Sequence, residues 1–255
     1  MRKRNIVILA TGGTIAGSAA SDTATTGYEA GPIGVDALIN AVPEVSVCAN
    51  VRGEQIASLD SKDIGDDVWL ALSKRVNELL VRDDVDGVVI THGTDTLEET
   101  AYFLNLTVRS TKPVIMTGAM RPATAISADG PMNLLNAVRL AATPGAADRG
   151  VLVCLNDQID SARNVTKTHT TSVDTFKSPL GPIGFMNDGK PAFYNTVERR
   201  HTGHTEFDVT AVTKLPYVKV IYGHANEDAL FVDAAINAGV KGIVYAGTGN
   251  GSIHK

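Results

Sequence analysis

The sequence predicts an α/β protein with a large N-terminal domain, in which helices flank a mostly parallel sheet. Short apolar runs alternate along the chain with segments whose apolar residues recur at helical spacing. This alternation is typical of a parallel sheet covered by helices on both faces. The composition agrees, because 24 glycines and only 5% aromatic residues suit close-packed strand–helix units better than an aromatic-rich β-barrel.

The first predicted strand, 5–10, is a continuous apolar run that two glycines close. Segment 18–34 is rich in Ala, Thr, Gly and Ser, which indicates a long loop, and a short helix at 35–41 ends before Pro43. The other elements predicted for this domain are helices at 66–81, 96–106 and 131–142 and strands at 87–90, 113–117 and 150–155.

After Asp160 the alternation weakens and turn signals increase, so pairing strands are expected there. We place the catalytic domain at 1–190, a linker at 191–214 and the start of a smaller α/β domain at 215–255. The smaller domain is predicted to contain strand 217–222, helix 228–238 and strand 242–246. A single βαβ unit buries too little apolar surface to be stable alone, so we expect this domain to be truncated or to depend on another subunit.

Charge and composition exclude several classes of protein. The net charge of −5 argues against nucleic-acid binding, and no apolar stretch is long enough to cross a membrane. Two cysteines, Cys48 and Cys154, are too few for a disulfide framework and are expected to be buried thiols. His169, His201 and His204 do not form a convincing metal set, so no metal and no cofactor is expected.

Polar residues follow four of the predicted strands, at 11–14, 91–96, 118–122 and 247–251. A Gly-Gly pair after a strand is equally compatible with a plain tight turn, and Thr94-Asp95 is compatible with a helix N-cap. Taken together, two hydroxyls, one carboxylate and free N–H groups at one sheet edge suit nucleophilic acyl transfer.

These segments resemble the paired active-site signatures of bacterial type II L-asparaginases and glutaminase-asparaginases, and the Erwinia-like branch in particular. The resemblance runs in order and with few gaps from residue 5 to residue 251. Its strongest motifs are 11–17 (TGGTIAG) and 91–96 (THGTDT), and it continues through 98–104 (EETAYFL), 118–122 (GAMRP), 127–131 (SADGP) and 165–168 (VTKT).

The resemblance implies that Thr14 attacks the side-chain amide carbon and forms an acyl-enzyme. Tyr28, in a loop that closes over the site, would assist proton removal from Thr14, although an incidental loop aromatic is the alternative. Thr94, Asp95 and Lys167 match the second catalytic group, in which an ammonium beside a hydroxyl favours deprotonation and orients the deacylating water.

The resemblance also implies the substrate contacts. Ser61 would bind the α-carboxylate, Asp95 would hold the α-amino group, and Ala119 would line the site. Asn250 would reach into a neighbouring subunit's site. Lys62 is a departure, because relatives carry Gln or Glu there, and a positive charge near an ammonium is unfavourable unless the side chain points to solvent. The acidic partner of the lid tyrosine would lie beyond residue 255.

The expected activity is hydrolysis of L-asparagine to L-aspartate and ammonia, with lesser hydrolysis of L-glutamine. The alternatives are a truncated or engineered chain that binds amino acid with little turnover, and an amidotransferase subunit that supplies ammonia. By resemblance, the full-length protein is expected to be a homotetramer built as a dimer of dimers. A periplasmic or secreted location is expected, with the signal peptide outside this sequence, and a cytoplasmic location is the alternative.

Overall fold

The computed structural model describes residues 2–24, 27 and 29–254, which form two units, Met1–Ala211 and Val212–Lys255. The strands of the first unit are β1 (Arg4–Gly12), β2 (Ala49–Leu59), β3 (Gly87–Thr91), β4 (Val114–Thr117), β5 (Val151–Leu155), β6 (Gln158–Ser161), β7 (Thr166–Lys167), β8 (Phe176–Lys177), β9 (Gly184–Asn187) and β10 (Lys190–Phe193). Its helices are α1 (Val35–Asn40), α2 (Glu44–Cys48), α3 (Asp66–Leu80), α4 (Leu97–Thr107) and α5 (Gly130–Ala141).

Eight strands form one sheet in the order β10-β9-β6-β5-β4-β3-β1-β2. Neighbouring strands from β2 to β5 are parallel, whereas β5, β6, β9 and β10 pair antiparallel. The predicted mostly parallel sheet is therefore confirmed. The parallel strands bring their carboxyl ends to one edge, which is where ligands bind in open α/β sheets.

Helices cover both faces of this sheet because successive strand residues point to opposite sides. Along β1, Ile6 and Ile8 pack in a cluster with apolar residues of α1, α2 and α5. Val7 and Leu9 pack in a second cluster with residues of α3 and α4. All four side chains are almost completely buried, as expected for a parallel strand with helices on both sides.

The sequence did not predict α2 or β2. Strand β2 forms the edge of the sheet, where it pairs with β1 alone, and most of its residues are partly exposed. Its sequence, ANVRGEQIASL, is accordingly polar and lacks the continuous apolar run that identified β1 and β3.

The predicted pairing strands after residue 160 are present, although the first of them, β6, already begins at Gln158. Asn156 and Asp157 both have positive φ, 48° and 62°, and form the tight turn between β5 and β6. Strands β7 and β8 lie outside the main sheet and form a two-stranded sheet of their own. Beyond β10 the chain contains a 3-10 helix at Thr202–His204.

The second unit contains β11 (Val218–Tyr222), α6 (Leu230–Asn237) and β12 (Gly242–Ala246), close to the three predicted elements. Strands β11 and β12 pair in parallel, from Val218 with Gly242 to Tyr222 with Ala246. Several large apolar side chains of this unit are exposed, among them Val220, Phe231 and Val244. In the described part of the chain, no helix is long and apolar enough to span a membrane.

Candidate active site

Two glycines at the end of β1 allow three loops to meet at the carboxyl edge of the sheet. Gly12 and Gly13 have φ values of 103° and 81°, in the region that favours glycine. A Cβ on Gly13 would lie 2.3 Å from the backbone of Gly93, and a Cβ on Gly12 would lie 2.5 Å from the Leu59 carbonyl oxygen. The Gly-Gly pair therefore forms a tight turn. Because it has no side chains, it also allows Thr14 to lie close to the loop that follows β3.

Ser61 joins the loop after β2 to the loop after β3. The residue is buried at the start of a 3-10 helix, Ser61–Asp63. Its hydroxyl oxygen accepts a hydrogen bond from the Asp95 N–H at 3.2 Å, and its carbonyl accepts one from the Thr96 hydroxyl at 2.7 Å. These bonds fix the distance between the two loops.

The Lys167 ammonium connects β7 to the same loop. Its Nζ donates to Thr94 Oγ1 at 2.9 Å and to Asp95 Oδ1 at 2.6 Å. The Lys167 side chain is 16% exposed and that of Asp95 58%, so the cation is the more enclosed partner of the ion pair. The N-cap of α4 is Thr96, and it makes no side-chain capping bond. The N-cap alternative for Thr94-Asp95 is therefore wrong.

A cavity of about 270 Å³ lies between these loops. Five of the predicted site residues line it: Thr14, Ser61, Thr94, Asp95 and Lys167. The other lining residues are Gly13, Gly27, Ala30, Asp60, Gly93, Met120, Thr170 and Thr171. Hydroxyl, carboxylate and ammonium groups from four connecting segments thus face one small volume, as a site for a polar small molecule requires.

The remaining predicted residues lie elsewhere. Ala119 is completely buried and does not line the cavity. Lys62 is 62% exposed, and its Nζ contacts Asp60 at 2.5 Å and Asp63 at 3.4 Å. The hydrogen bond to Asp60 raises the pKa of Lys62, so the side chain stays a cation that is paired with two carboxylates. Lys62 does not line the cavity. The predicted substrate roles of Ala119 and Lys62 stay predictions.

Two other predicted residues have no described place at this cavity. Asn250 is exposed and belongs to the second unit, in the turn after β12. Tyr28 falls outside the described residues. The proposed lid tyrosine and the contact to a neighbouring subunit therefore stay predictions.

Sequence reasoning did not single out His92, although it lies within the motif 91–96. The Gly93 carbonyl beside Nδ1 can only accept, so Nε2 of the neutral ring accepts from the Thr100 hydroxyl at 2.9 Å, and the same hydroxyl oxygen accepts from Trp69 Nε1 at 2.8 Å. His92 Nδ1 then carries the proton and donates to the Gly93 carbonyl at 2.6 Å. Burial lowers the pKa of His92 to about 4, so the ring is neutral and fixes the peptide before Thr94.

Asp129 is a second residue that the sequence did not identify. Its carboxylate accepts backbone hydrogen bonds from Met120 N, at 3.0 Å, and from Arg121 N, at 2.9 Å. It also accepts one from Asn133 Nδ2 at 3.1 Å, on the first turns of α5. The loop after β4, which brings Met120 to the cavity, is thereby tied to a helix.

None of the residues considered for metal binding and thiol chemistry lines the cavity, although His169 directly precedes Thr170, which does. The rings of His201 and His204 are 5.6 Å apart, and His204 Nε2 lies 3.0 Å from Asp148 Oδ1. Over residues 2–24, 27 and 29–254, no three His, Cys, Asp or Glu residues are grouped to hold a metal ion. Cys154 is buried, which raises the pKa of its thiol, and Cys48 is partly buried.

Comparison with known proteins identifies the family. The model of the family described as Asparaginase, N-terminal, matches residues 5–199. The chain is 58% identical to L-asparaginase 2 of Bacillus subtilis (strain 168) over 250 residues, which are 98% of this chain and 66% of that protein. It is 50% identical to the glutaminase-asparaginase of Pseudomonas fluorescens biotype A, over 98% of this chain and 69% of the relative.

A solved structure supports the same assignment. The crystal structure of a probable cytoplasmic L-asparaginase from Campylobacter jejuni superposes with a TM-score of 0.97 at 53% sequence identity. The match covers 99% of this chain and 78% of that one. The chain belongs to the asparaginase family, as its motifs predicted. The assignment to an Erwinia-like branch stays a prediction.

Proposed function

We propose that this chain hydrolyses the side-chain amide of L-asparagine to L-aspartate and ammonia. The observation that carries the proposal is the placement of Lys167 Nζ within hydrogen-bonding distance of both Thr94 and Asp95, in a cavity that Thr14 also lines. An isolated hydroxyl is a weak nucleophile, and a neighbouring cation or base is what activates it. The names of two relatives, L-asparaginase 2 and glutaminase-asparaginase, describe enzymes that act on amides of this kind.

In the proposed acylation step, the Thr14 hydroxyl oxygen attacks the side-chain carbonyl carbon of asparagine. The C–N bond breaks, the nitrogen takes up a proton and leaves as ammonia, and an aspartyl ester of Thr14 remains. Tyr28 would accept the Thr14 proton from a loop that closes over the cavity. The N–H groups of Thr14 and Thr94 would bind the oxyanion, and in the described part of the chain the Thr94 N–H donates to no other acceptor.

In the proposed deacylation step, water attacks the ester carbon, and the bond to Thr14 breaks to release aspartate. The Lys167 ammonium stabilises negative charge that develops on Thr94, so Thr94 would take up one proton of the attacking water as its own hydroxyl proton passes to the departing Thr14 oxygen. Asp95 would both pair with Lys167 and bind the substrate's α-amino group. Ser61 Oγ accepts from the Asp95 N–H, an arrangement that leaves its hydroxyl hydrogen to bind the α-carboxylate.

Lesser hydrolysis of L-glutamine belongs to the same proposal. Glutamine is longer by one methylene group, and such a difference changes binding by only about 1–3 kcal/mol in an enzyme pocket. Ala119 and Asn250 are proposed as further substrate contacts. Lys62 is proposed to act weakly, because Asp60 and Asp63 already pair with its ammonium.

The domain boundaries and the assembly are further proposals. The pattern of the sequence suggests a catalytic domain at 1–190, a linker at 191–214 and a smaller domain from 215, and the resemblance implies a homotetramer of close dimers when full length. A periplasmic or secreted location is proposed, although the Campylobacter relative is described as cytoplasmic. Fractionation of the source cells, with ammonia release as the assay, decides between the two locations.

The test of the activity is ammonia release from L-asparagine and from L-glutamine. We expect Thr14→Ala to lower the asparagine rate by at least about a thousandfold, because loss of a nucleophile removes the covalent route. Thr111→Ala is the matched control, since Thr111 is exposed and lies just before β4, away from the cavity. Equal background rates from the unaltered chain and Thr14→Ala would refute the hydrolase proposal and favour a chain that only binds amino acid.

Binding of tRNA in a mobility assay would favour the amidotransferase alternative.

A further inference from the structure

Lys167 lies on a strand outside the main sheet. Strand β7 consists of Thr166 and Lys167 and pairs with the two residues of β8, and the next two residues, Thr168 and His169, donate three further hydrogen bonds to Thr175. These bonds hold β7 to β8 but not to the loop that carries Thr94 and Asp95. Further contacts must therefore fix the Lys167 backbone relative to that loop.

Glu98 provides those contacts. One carboxylate oxygen accepts a hydrogen bond from the Thr166 hydroxyl at 2.8 Å, and the other accepts one from the Lys167 backbone N–H at 2.5 Å. Both residues of β7 are thus bound by a single side chain. Glu98 lies in the first turn of α4, where the helix dipole favours a negative charge, and it is partly buried.

The same helix begins directly after Thr94 and Asp95, the two residues that bind the Lys167 ammonium. Lys167 is consequently attached to one structural segment at both ends, with its backbone on Glu98 and its Nζ on Thr94 and Asp95. The two attachments together fix the position of the Lys167 side chain between β7 and the segment that leads into α4. If the carboxylate of Glu98 is lost, the backbone of β7 can drift while the cavity loops around Thr14 and Ser61 stay in place.

We propose that Glu98 is a positioning residue that holds Lys167 on Thr94 and Asp95 for the deacylation step. This inference rests on the hydrolase function proposed above. Loss of Glu98 should affect deacylation and not substrate binding. The groups proposed to bind substrate, Ser61 and Asp95, are linked to each other and do not depend on β7 for their backbone position. Loss of Glu98 should therefore lower kcat and KM together and leave kcat/KM, which reports substrate binding and acylation, nearly unchanged.

Glu98→Ala is the variant that tests this inference, because it removes both acceptor oxygens. Glu98→Gln would not remove the contact, since its Oε1 can accept from the Lys167 N–H while its NH2 group donates to the Thr166 hydroxyl. Glu99→Ala is the matched control, since Glu99 is the next residue of the same helix turn, is exposed, and loses the same charge. Two measurements are made on all three chains: steady-state kinetics with L-asparagine, and hydrogen exchange of the Lys167 amide.

For Glu98→Ala we expect kcat to fall about 10- to 100-fold with kcat/KM within about threefold, and the Lys167 amide to exchange about tenfold faster. Glu99→Ala should match the unaltered chain in both measurements. An unchanged kcat, an unchanged Lys167 exchange rate, or faster exchange spread through β1, β3 and β4 as well would each overturn the inference. If the unaltered chain releases no ammonia, the hydrolase proposal fails, and the exchange rate alone then decides whether Glu98 holds Lys167.

Discussion

His92 shows how a buried residue beside the cavity can limit the pH range of the protein. Its ring is enclosed between the Gly93 carbonyl, which accepts from Nδ1, and the Thr100 hydroxyl, which donates to Nε2. The second bond requires the neutral ring, because protonation would place a hydrogen on Nε2. Burial lowers the pKa of His92 to about 4, although the hydrogen bond to Gly93 acts in the opposite direction.

The sign of the resulting pH dependence follows from the two states. Unfolded His92 binds a proton near pH 6.5, whereas the folded residue does so only near pH 4, so acid stabilises the unfolded chain first. The contribution of His92 is intact above pH 6.5 and is lost as the pH falls from 6.5 towards 4. Between pH 7 and pH 5 we expect it to lower the free energy of unfolding by about 2 kcal/mol.

The measurement is urea unfolding at pH 7 and pH 5, followed through the fluorescence of Trp69, the single tryptophan. His92→Gln should reduce the loss of stability between these pH values by about 2 kcal/mol. His204→Gln serves as the control, because its ring is exposed and its removal should leave the loss largely intact. Parallel pH dependences in the unaltered chain and His92→Gln would contradict the argument.

At the scale of elements, the turn after β1 determines whether the site assembles. Gly13 has φ of 81°, and a methyl group on its Cα would clash with the backbone of Gly93. We expect Gly13→Ala to cost at least about 2 kcal/mol of stability, since backbone strain and a main-chain clash occur together. Ammonia release should fall by at least about a hundredfold, because Thr14 is displaced with the turn.

The comparison for this prediction is Gly34→Ala. Gly34 has φ of −71°, and a Cβ added there would meet no atom within 4 Å. This change should cost less than about 1 kcal/mol, the range expected at a helix N-cap, and leave ammonia release unaltered. Thermal melting and the ammonia assay test both variants, and equal behaviour of the two alanines would show that the close approach of the loops is not needed.

Among the parallel strands of the main sheet, the sequence predicted those whose burial is complete and missed the edge strand, whose burial is partial. Strands β1 and β3 were identifiable because both faces are covered, which leaves an uninterrupted apolar run. Edge strand β2 was not, because its polar residues are typical of a surface segment. The same distinction applies to the site. The glycine and threonine loops of β1 and β3 were recognisable, but Lys167 follows no regular strand and could be placed only by resemblance.

The roles of His92 and Glu98 could not be predicted from the sequence, because they depend on distances between remote segments. Glu98 and Lys167 are 69 residues apart, and nothing in either neighbourhood indicates the other. His92 is recognisable only as a polar residue after a buried strand. Its importance lies in the bond to Thr100, on a helix whose position relative to β3 is a property of the packed sheet.

At the scale of the whole molecule, the two units differ in the exposure of their strands. Most apolar strand residues are buried in the first unit, whereas several of those in the second unit are exposed. Val218, Val220 and Tyr222 alternate along β11 and are all exposed. Alternate residues of a strand lie on one face, so they form a continuous apolar surface of the kind that marks an interaction site. This surface is consistent with the proposed homotetramer.

We therefore expect the chain to associate, and sedimentation velocity across a range of concentrations measures it. Val220→Lys should shift the distribution towards the monomer, because a charge on this face opposes apolar contact. Val81→Lys is the control, since Val81 is 81% exposed as an isolated residue at the end of α3. A stable, active monomer over the whole range would contradict the proposed assembly.

The order of the sheet also has a consequence during protein synthesis. Strand β1, which is followed by Thr14, is made before its partner β2 by roughly 45 residues, before its partner β3 by roughly 80 and before Lys167 by roughly 150. At a translation rate of about 5–20 residues per second, Thr14 is made about 8–30 s before the group proposed to complete its site. The apolar strand that leads to the proposed nucleophile therefore gains its neighbours in two steps, and the site becomes complete only after both.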